Sequence, residues 1–180
     1  MLEAGRTCSW LWESAEYFVV VGRSGRIEDE VDVEACQAAG VPVLRRSSGG
    51  GTVLQGPGCL NFSMVLSLVD RPELWNVARS YEVILGWVTD ALGVPELCVC
   101  GSDILLHGKK VSGSAQRRTR DCLLHHGTVL CGMDIGMIER CLREPRRRPE
   151  HRGTRTHREF IASVEMPACE VRLRLETVKI

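Results

Sequence analysis

Residues 45–58 read Arg-Arg-Ser-Ser-Gly-Gly-Gly-Thr-Val-Leu-Gln-Gly-Pro-Gly, so two guanidinium groups stand directly before three consecutive glycines. Glycine lets the backbone approach a ligand closely and adopt positive φ, and successive N–H groups can then converge on an anion. Arginine adds planar, permanently charged forks that match carboxylate and phosphate. Arg45, Arg46, Ser48 and Gly49 to Gly51, with Thr52 and Val53 after them, therefore form a candidate cradle for a phosphorylated or carboxylate ligand. The same composition also describes a glycine-rich hairpin loop with solvated arginines.

A second constellation lies at 108–118, Gly-Lys-Lys-Val-Ser-Gly-Ser-Ala-Gln-Arg-Arg, and His125-His126-Gly127-Thr128 follows it. A strand lysine surrounded by Ser112, Gly113, Ser114 and Ala115 leaves a hollow beside an ammonium group. Such a compact point charge can stabilise negative charge developing on a carbonyl or phosphoryl oxygen. Lys110 is the candidate for that task, and Lys109 reads as the solvated neighbour. His125 and His126 read equally as core or edge histidines and as catalytic ones. Adjacent strand residues point to opposite faces, so they do not form a metal pair, and no resident metal is expected.

Short β-type runs supply the frame for these residues: 10–13, 17–22, 41–46, 52–54, 61–68, 97–100, 104–106, 111–116 and 123–131. Residues 72–92 are the clearest helix. Proline stands in its first turn, Leu74, Val77, Tyr81, Ile84, Val88 and Leu92 repeat at helical spacing, and Gly93 with Pro95 ends it. Residues 28–39 read as one short helix and 136–142 as another. The segment 143–158 carries seven arginines with two prolines and reads as a loop. The run 171–180 alternates apolar and charged residues like an exposed strand. Many strands of mixed connection around one long helix give an α+β fold class.

The length of 180 residues suits one domain over 1–180, with 23 basic against 23 acidic residues. No basic excess points to nucleic acid or to a membrane surface. Nine cysteines, an odd count lying mostly in apolar runs without a secretory signal, suit buried reduced thiols in a cytoplasmic protein better than a disulfide framework. No apolar run is long enough to span a bilayer.

Arg-Arg-Ser-Ser-Gly-Gly-Gly-Thr-Val, followed by Gly-Lys-Lys-Val-Ser-Gly-Ser-Ala-Gln-Arg-Arg and then Leu-Leu-His-His-Gly-Thr-Val-Leu, resembles the lipoate-protein ligase A family within the biotin/lipoate protein ligase superfamily. The resemblance covers roughly 10–160. It implies a mixed, largely antiparallel sheet flanked by helices, the class II synthetase-like catalytic fold. It further implies activation of lipoate or octanoate with ATP and Mg2+ to an acyl-adenylate, then transfer to a lysine of an acceptor lipoyl domain. Such acceptors belong to 2-oxoacid dehydrogenases or are the glycine cleavage H protein. Carried over by position, Arg45, Arg46, Ser48, Gly49 to Gly51, Thr52 and Val53 line the acyl-adenylate site, and Lys110 reaches the carbonyl and phosphate oxygens. Gly113 and Ala115 keep the hollow, Gln116 and Arg117 shape the pocket mouth, and His126 with Gly127 closes the wall. Val53, Met64, Leu66 and Val129 are candidates for an apolar acyl slot.

The chain departs from that pattern at Gln55-Gly56-Pro57-Gly58-Cys59, where Gly-Pro-Gly is similar to the octanoyltransferase branch. Those enzymes use a cysteine thiolate and acyl-carrier protein without ATP. Cys98 and Cys100 are the alternative nucleophiles, with Cys59 a further one. Cys98 and Cys100 read first as core thiols, since cysteine in apolar surroundings is usually inert, and as a metal pair only poorly, with no second pair nearby. Against the family the chain reads as shortened at both ends, which is expected to bare one face of the sheet. That shortening also leaves open a non-catalytic lipoate- or acceptor-binding homologue. The arginine-rich loop reads as a docking surface for an acidic acceptor, as a solvated loop, or as a segment with incidental nucleic-acid affinity.

Overall fold

The computed structural model describes residues 7–180. Its nine strands are β1 (Cys8–Trp12), β2 (Phe18–Val21), β3 (Val43–Arg45), β4 (Val53–Gln55), β5 (Cys59–Ser67), β6 (Leu97–Cys100), β7 (Asp103–Leu106), β8 (Lys109–Arg118) and β9 (Cys122–Leu130). The helices are α1 (Ile27–Glu30), α2 (Val33–Ala38), α3 (Val77–Leu92), α4 (Ile135–Cys141), α5 (His157–Phe160) and α6 (Ala168–Leu175). A six-stranded sheet runs β1-β5-β9-β8-β7-β6 with every pairing antiparallel. A small sheet runs β3-β2-β4, with β2 parallel to β3 and antiparallel to β4. This is the expected α+β architecture. No helix among the described residues is long and apolar enough to cross a membrane.

Strand β5 is buried along its whole length because both of its faces are covered. Leu60, Phe62, Met64 and Leu66 point into a core closed by α3 and α6. Cys59 joins a second core with Val19, Val21, Leu54, Leu130 and Ile138, between the large sheet and the small one. The large sheet therefore divides two compartments, and strand alternation decides which one each side chain enters.

Asn76 caps α3 by accepting from the N–H of Arg79 at 3.0 Å, and Gly93 ends it in the left-handed region at φ 62°. Because Asn76 starts the α-helix, Pro72–Leu74 ahead of it forms a separate 3-10 turn. The expected helix over 28–39 is two helices. Asp32 accepts from the N–H of Ala35 at 2.9 Å and so starts α2 anew, while Val31 leaves the helix to bridge Leu142.

The C-terminal run is also corrected. Residues 168–175 are helical, because Val171 and Leu175, four apart, both reach the core, whereas Leu173 stays 66% exposed. The alternation of Val-Arg-Leu-Arg-Leu fits either period, and burial selects the helical one. Arg172 donates to the carbonyl of Leu11 at 3.0 Å, and Arg174 donates to the carbonyl of Leu92. With α6 so docked beside α3, the sheet face expected to be bare is covered.

Candidate active site

The glycine loop is built from inside by Arg46. Its guanidinium donates to the carbonyls of Gly49 (2.7 Å), Gly51 (2.7 Å) and Val20 (3.1 Å), which turns the loop back over β2. Gly50 adopts φ 89°, and a Cβ there would lie 2.8 Å from the Arg46 guanidinium and 3.2 Å from Cβ of Ala115. Only glycine lets the chain pass between them. Among the described residues no protein acceptor faces the N–H groups of Gly49, Gly50 or Gly51. Arg45 turns away, donating to the carbonyls of Gly22 and Gly25 at 2.8 Å each, so it fixes the turn after β2.

Lys110 is aimed by a break in strand register. Ile104 pairs with Ser112 and Leu105 with Lys110, which leaves Val111 as the extra residue of a β-bulge. Residues 110 and 113 would face opposite sides of a regular strand. With Val111 displaced into the helical core, both face the compartment between the sheets. The Lys110 side chain then lies across Gly113, where a Cβ would meet Cε and Nζ at 2.6 Å. Its Nζ stands 2.8 Å from Oδ1 of Asp103, a carboxylate whose side chain is 5% exposed. Oδ2 of the same carboxylate lies 2.9 Å from Nε2 of His151.

Between the two sheets is a cavity of about 740 Å3, within the range of small-molecule sites. Gly49 to Gly51, Thr52 and Val53 form one wall, and Asp103, Lys110 and Gly113 form another. Arg143, Arg146, Arg147 and Arg152 of the 143–158 segment roof it. That segment is not wholly a loop, since it contains a 3-10 turn at Glu150–Arg152 and its last two residues begin the short helix α5. The apolar end is built from Leu130, Met133, Ile138, Leu142, Phe160 and Ile161. Among the candidates for the acyl slot, Val53 lines this cavity. Met64, Leu66 and Val129 lie in the helical core on the opposite sheet face, because strand alternation turns them there.

Other sequence candidates take places around the cavity rather than in its lining. Ser48 bonds His126 at 2.6 Å and fastens the loop to β9. Ala115 packs under Gly50. Gln116 faces α3, bonding Ser80 and Nδ1 of His125 at 3.1 Å each, and Arg117 is exposed near the strand end. Gly127 backs onto Phe62 in the helical core. Burial and the nearby Arg46 guanidinium push the His126 pKa down to about 4, so the imidazole is neutral at physiological pH. Burial and His126 push that of His125 down to about 3.

The thiols separate clearly. Cys98 and Cys100 sit on the edge strand β6 outside the cavity lining, although the register sets Cys100 opposite Asp103. Cys59 lines the cavity, and burial, with Cys131 nearby, pushes its thiol up to about 12, which keeps it protonated. Sequence reading missed Asp103 and His151. The residue type of Asp103 gives no signal, and only its pairing with Gly113 across β7 and β8 puts it beneath the lysine.

The model of the lipoyl protein ligase A/B catalytic domain matches residues 3–179, and the chain belongs to that family. Lipoate-protein ligase LplJ of Bacillus subtilis (strain 168) is 27% identical over 146 residues, which are 81% of this chain and 44% of that protein. The chain thus spans less than half the length of this curated relative. A Thermoplasma acidophilum structure described as a bi-partite lipoate protein ligase and its E2 lipoyl domain has a TM-score of 0.80 at 24% identity, covering 95% of this chain and 69% of that one. Lipoate-protein ligase A bound with ATP gives 0.78 at 24% identity, with 94% and 70% covered. These two likenesses establish a shared fold.

Proposed function

We propose that this protein is an ATP-dependent lipoate-protein ligase acting in the cytoplasm. It joins lipoate or octanoate to AMP, with Mg2+ accompanying the nucleotide, and passes the acyl group to a lysine of an acceptor lipoyl domain of a 2-oxoacid dehydrogenase or to the glycine cleavage H protein. The observation that carries this reading is the Lys110 ammonium, set by the bulge and Gly113 into the wall of a cavity whose other wall offers the unused amides of Gly49 to Gly51. Attack of an acyl carboxylate on the α-phosphorus spreads negative charge over non-bridging oxygens before pyrophosphate leaves. Fixed amides and an ammonium already in place stabilise that charge without reorganising. In the second step the acceptor amine attacks the acyl carbonyl and AMP departs, and the same groups hold the phosphate as it leaves. The apolar end from Leu130 to Ile161 suits the acyl tail, and the arginine-rich roof suits an acidic acceptor surface. The name of the Bacillus subtilis relative and the ATP held by the ligase A structure support the same reading.

The protein is to be incubated with an apo lipoyl domain and lipoate or octanoate, with and without Mg2+–ATP, and in parallel with octanoyl-acyl-carrier protein alone. A mass increase of the acceptor that requires ATP is the expected result. Modification from the carrier without ATP, abolished by Cys98→Ala or Cys100→Ala, would replace this reading with the cysteine-dependent transferase. Lipoate binding without modification in any arm would leave a binding homologue.

A further inference from the structure

The segment 143–155 crosses the cavity mouth like a strap that is anchored on both sides. At one end Arg146 pairs with Asp29 of α1 at 2.8 Å. At the other, His151 reaches Asp103 of β7 at 2.9 Å, and Arg155 donates to the carbonyl of Gly108 at 2.8 Å. The His151 ring is set against Phe160 with centroids 5.8 Å apart, and the Arg155 guanidinium lies 4.9 Å over the same ring. Of these anchors, Asp103 alone also touches the lysine of the cavity. Its two oxygens are divided, Oδ1 to Lys110 and Oδ2 to His151, and the carboxylate is almost wholly buried.

We propose that Asp103 is a positioning residue that couples the arginine-rich strap to Lys110, so that a seated strap and an aimed lysine depend on one carboxylate. A buried carboxylate oxygen without a donor is costly, so each partner is held partly because the other is. Losing His151 frees Oδ2 and lets the carboxylate rotate, which disturbs the angle at which Oδ1 meets Lys110. Losing the carboxylate releases both groups together. The task given to Lys110 rests on the ligase reading, whereas the coupling itself is a property of three side chains and can be measured without any substrate.

The strap carries its own reporter, because trypsin cuts after arginine. The nicking rate within 143–155, mapped by mass on the folded, unliganded protein, reads how often the strap lifts. His151→Gln and Asp103→Asn are each expected to raise it about tenfold, the usual effect of losing one charge-assisted bond. The double variant is expected to be nicked no faster than Asp103→Asn, because both changes cut one link. In the acyl-transfer assay Asp103→Asn is expected to lower kcat more than it raises the KM for ATP, a split that a purely structural residue would not give. Nicking of both variants at the wild-type rate would overturn the proposal, as would additive effects in the double variant. Lys110→Met, which frees Oδ1, is expected to raise the nicking rate as well, and an unchanged rate there refutes the coupling; should Asp103→Asn fail to fold, this variant and His151→Gln decide. If the wild-type protein modifies no acceptor, the ligase reading fails while the nicking comparison still decides this one.

Discussion

The hydroxyl of Ser48 lies 2.6 Å from Nε2 of His126, which ties the glycine loop to the middle of β9. Burial and Arg46 keep that imidazole neutral, so the link is an ordinary hydrogen bond between uncharged partners. Ser48 is 4% exposed, and removing its hydroxyl leaves the ring nitrogen without a partner. Ser48→Ala is expected to cost about 1 kcal/mol of stability by urea unfolding. It should also raise the KM for ATP several-fold, with a smaller effect on kcat, because the amide wall is loosened rather than removed. An unchanged KM would detach the loop from nucleotide binding.

The lysine offers a sharper test. Lys110→Ala is expected to reduce acyl transfer by a factor of about 100 or more, the scale of losing one preorganised electrostatic contact. Gly113→Ala should imitate it without touching the charge, since the added Cβ would stand 2.6 Å from Cε and Nζ and push the ammonium aside. The two changes act on one group, so the double variant should be no slower than Lys110→Ala alone. Full activity in Gly113→Ala would show that the observed lysine position is not the working one.

The positions of most strands were legible because β-branched and apolar runs broke at glycine, proline and charged turns. The glycine loop and the lysine block were legible as residue types. Facing was not. Val111 looks like any strand valine, yet its displacement turns Lys110 and Gly113 to the same side. Met64 and Val129 look like tail contacts until alternation from Phe62 and Gly127 turns them toward α3. The 171–180 run satisfied both a period of two and a period of four. Only the presence of α3 beside it, which no local pattern encodes, made Val171 and Leu175 the buried pair. Asp103 and His151 are 48 residues apart, and their meeting depends on how the strap crosses the cavity.

The adjacent arginines should behave differently despite identical chemistry. Arg46 is half-buried and holds Gly49, Gly51 and Val20 through a fork that a lysine cannot reproduce. Arg46→Lys is expected to cost about 2 kcal/mol, from two or more lost bonds to carbonyls. It should also abolish high-affinity ATP binding measured by calorimetry, because the amide wall follows the loop. Arg45→Lys, at an exposed turn, should cost about 1 kcal/mol and leave ATP affinity within about twofold. Equal losses of affinity would mean that Arg45 reaches the ligand directly.

Acid should unfold this protein through its histidines. His125 has its folded pKa pushed down to about 3 and His126 to about 4, against about 6.5 for each in the unfolded chain. The sign follows from proton counting: below pH 6.5 the unfolded chain takes up protons that the folded one refuses. Their contribution is therefore fully present above about pH 6.5 and is lost as pH falls toward 4. Each refused proton steepens the loss by about 1.4 kcal/mol per pH unit. Burial shifts His157 in the same direction. His125→Phe keeps a ring stacked on Phe62 and removes one of these protons. Urea unfolding at pH 7, 6 and 5 should then show stability falling less steeply by up to about 1.4 kcal/mol per pH unit in the variant. Parallel slopes for the two proteins would mean that His125 is protonated in the folded state, and its burial between Phe62 and Tyr81 would need another partner.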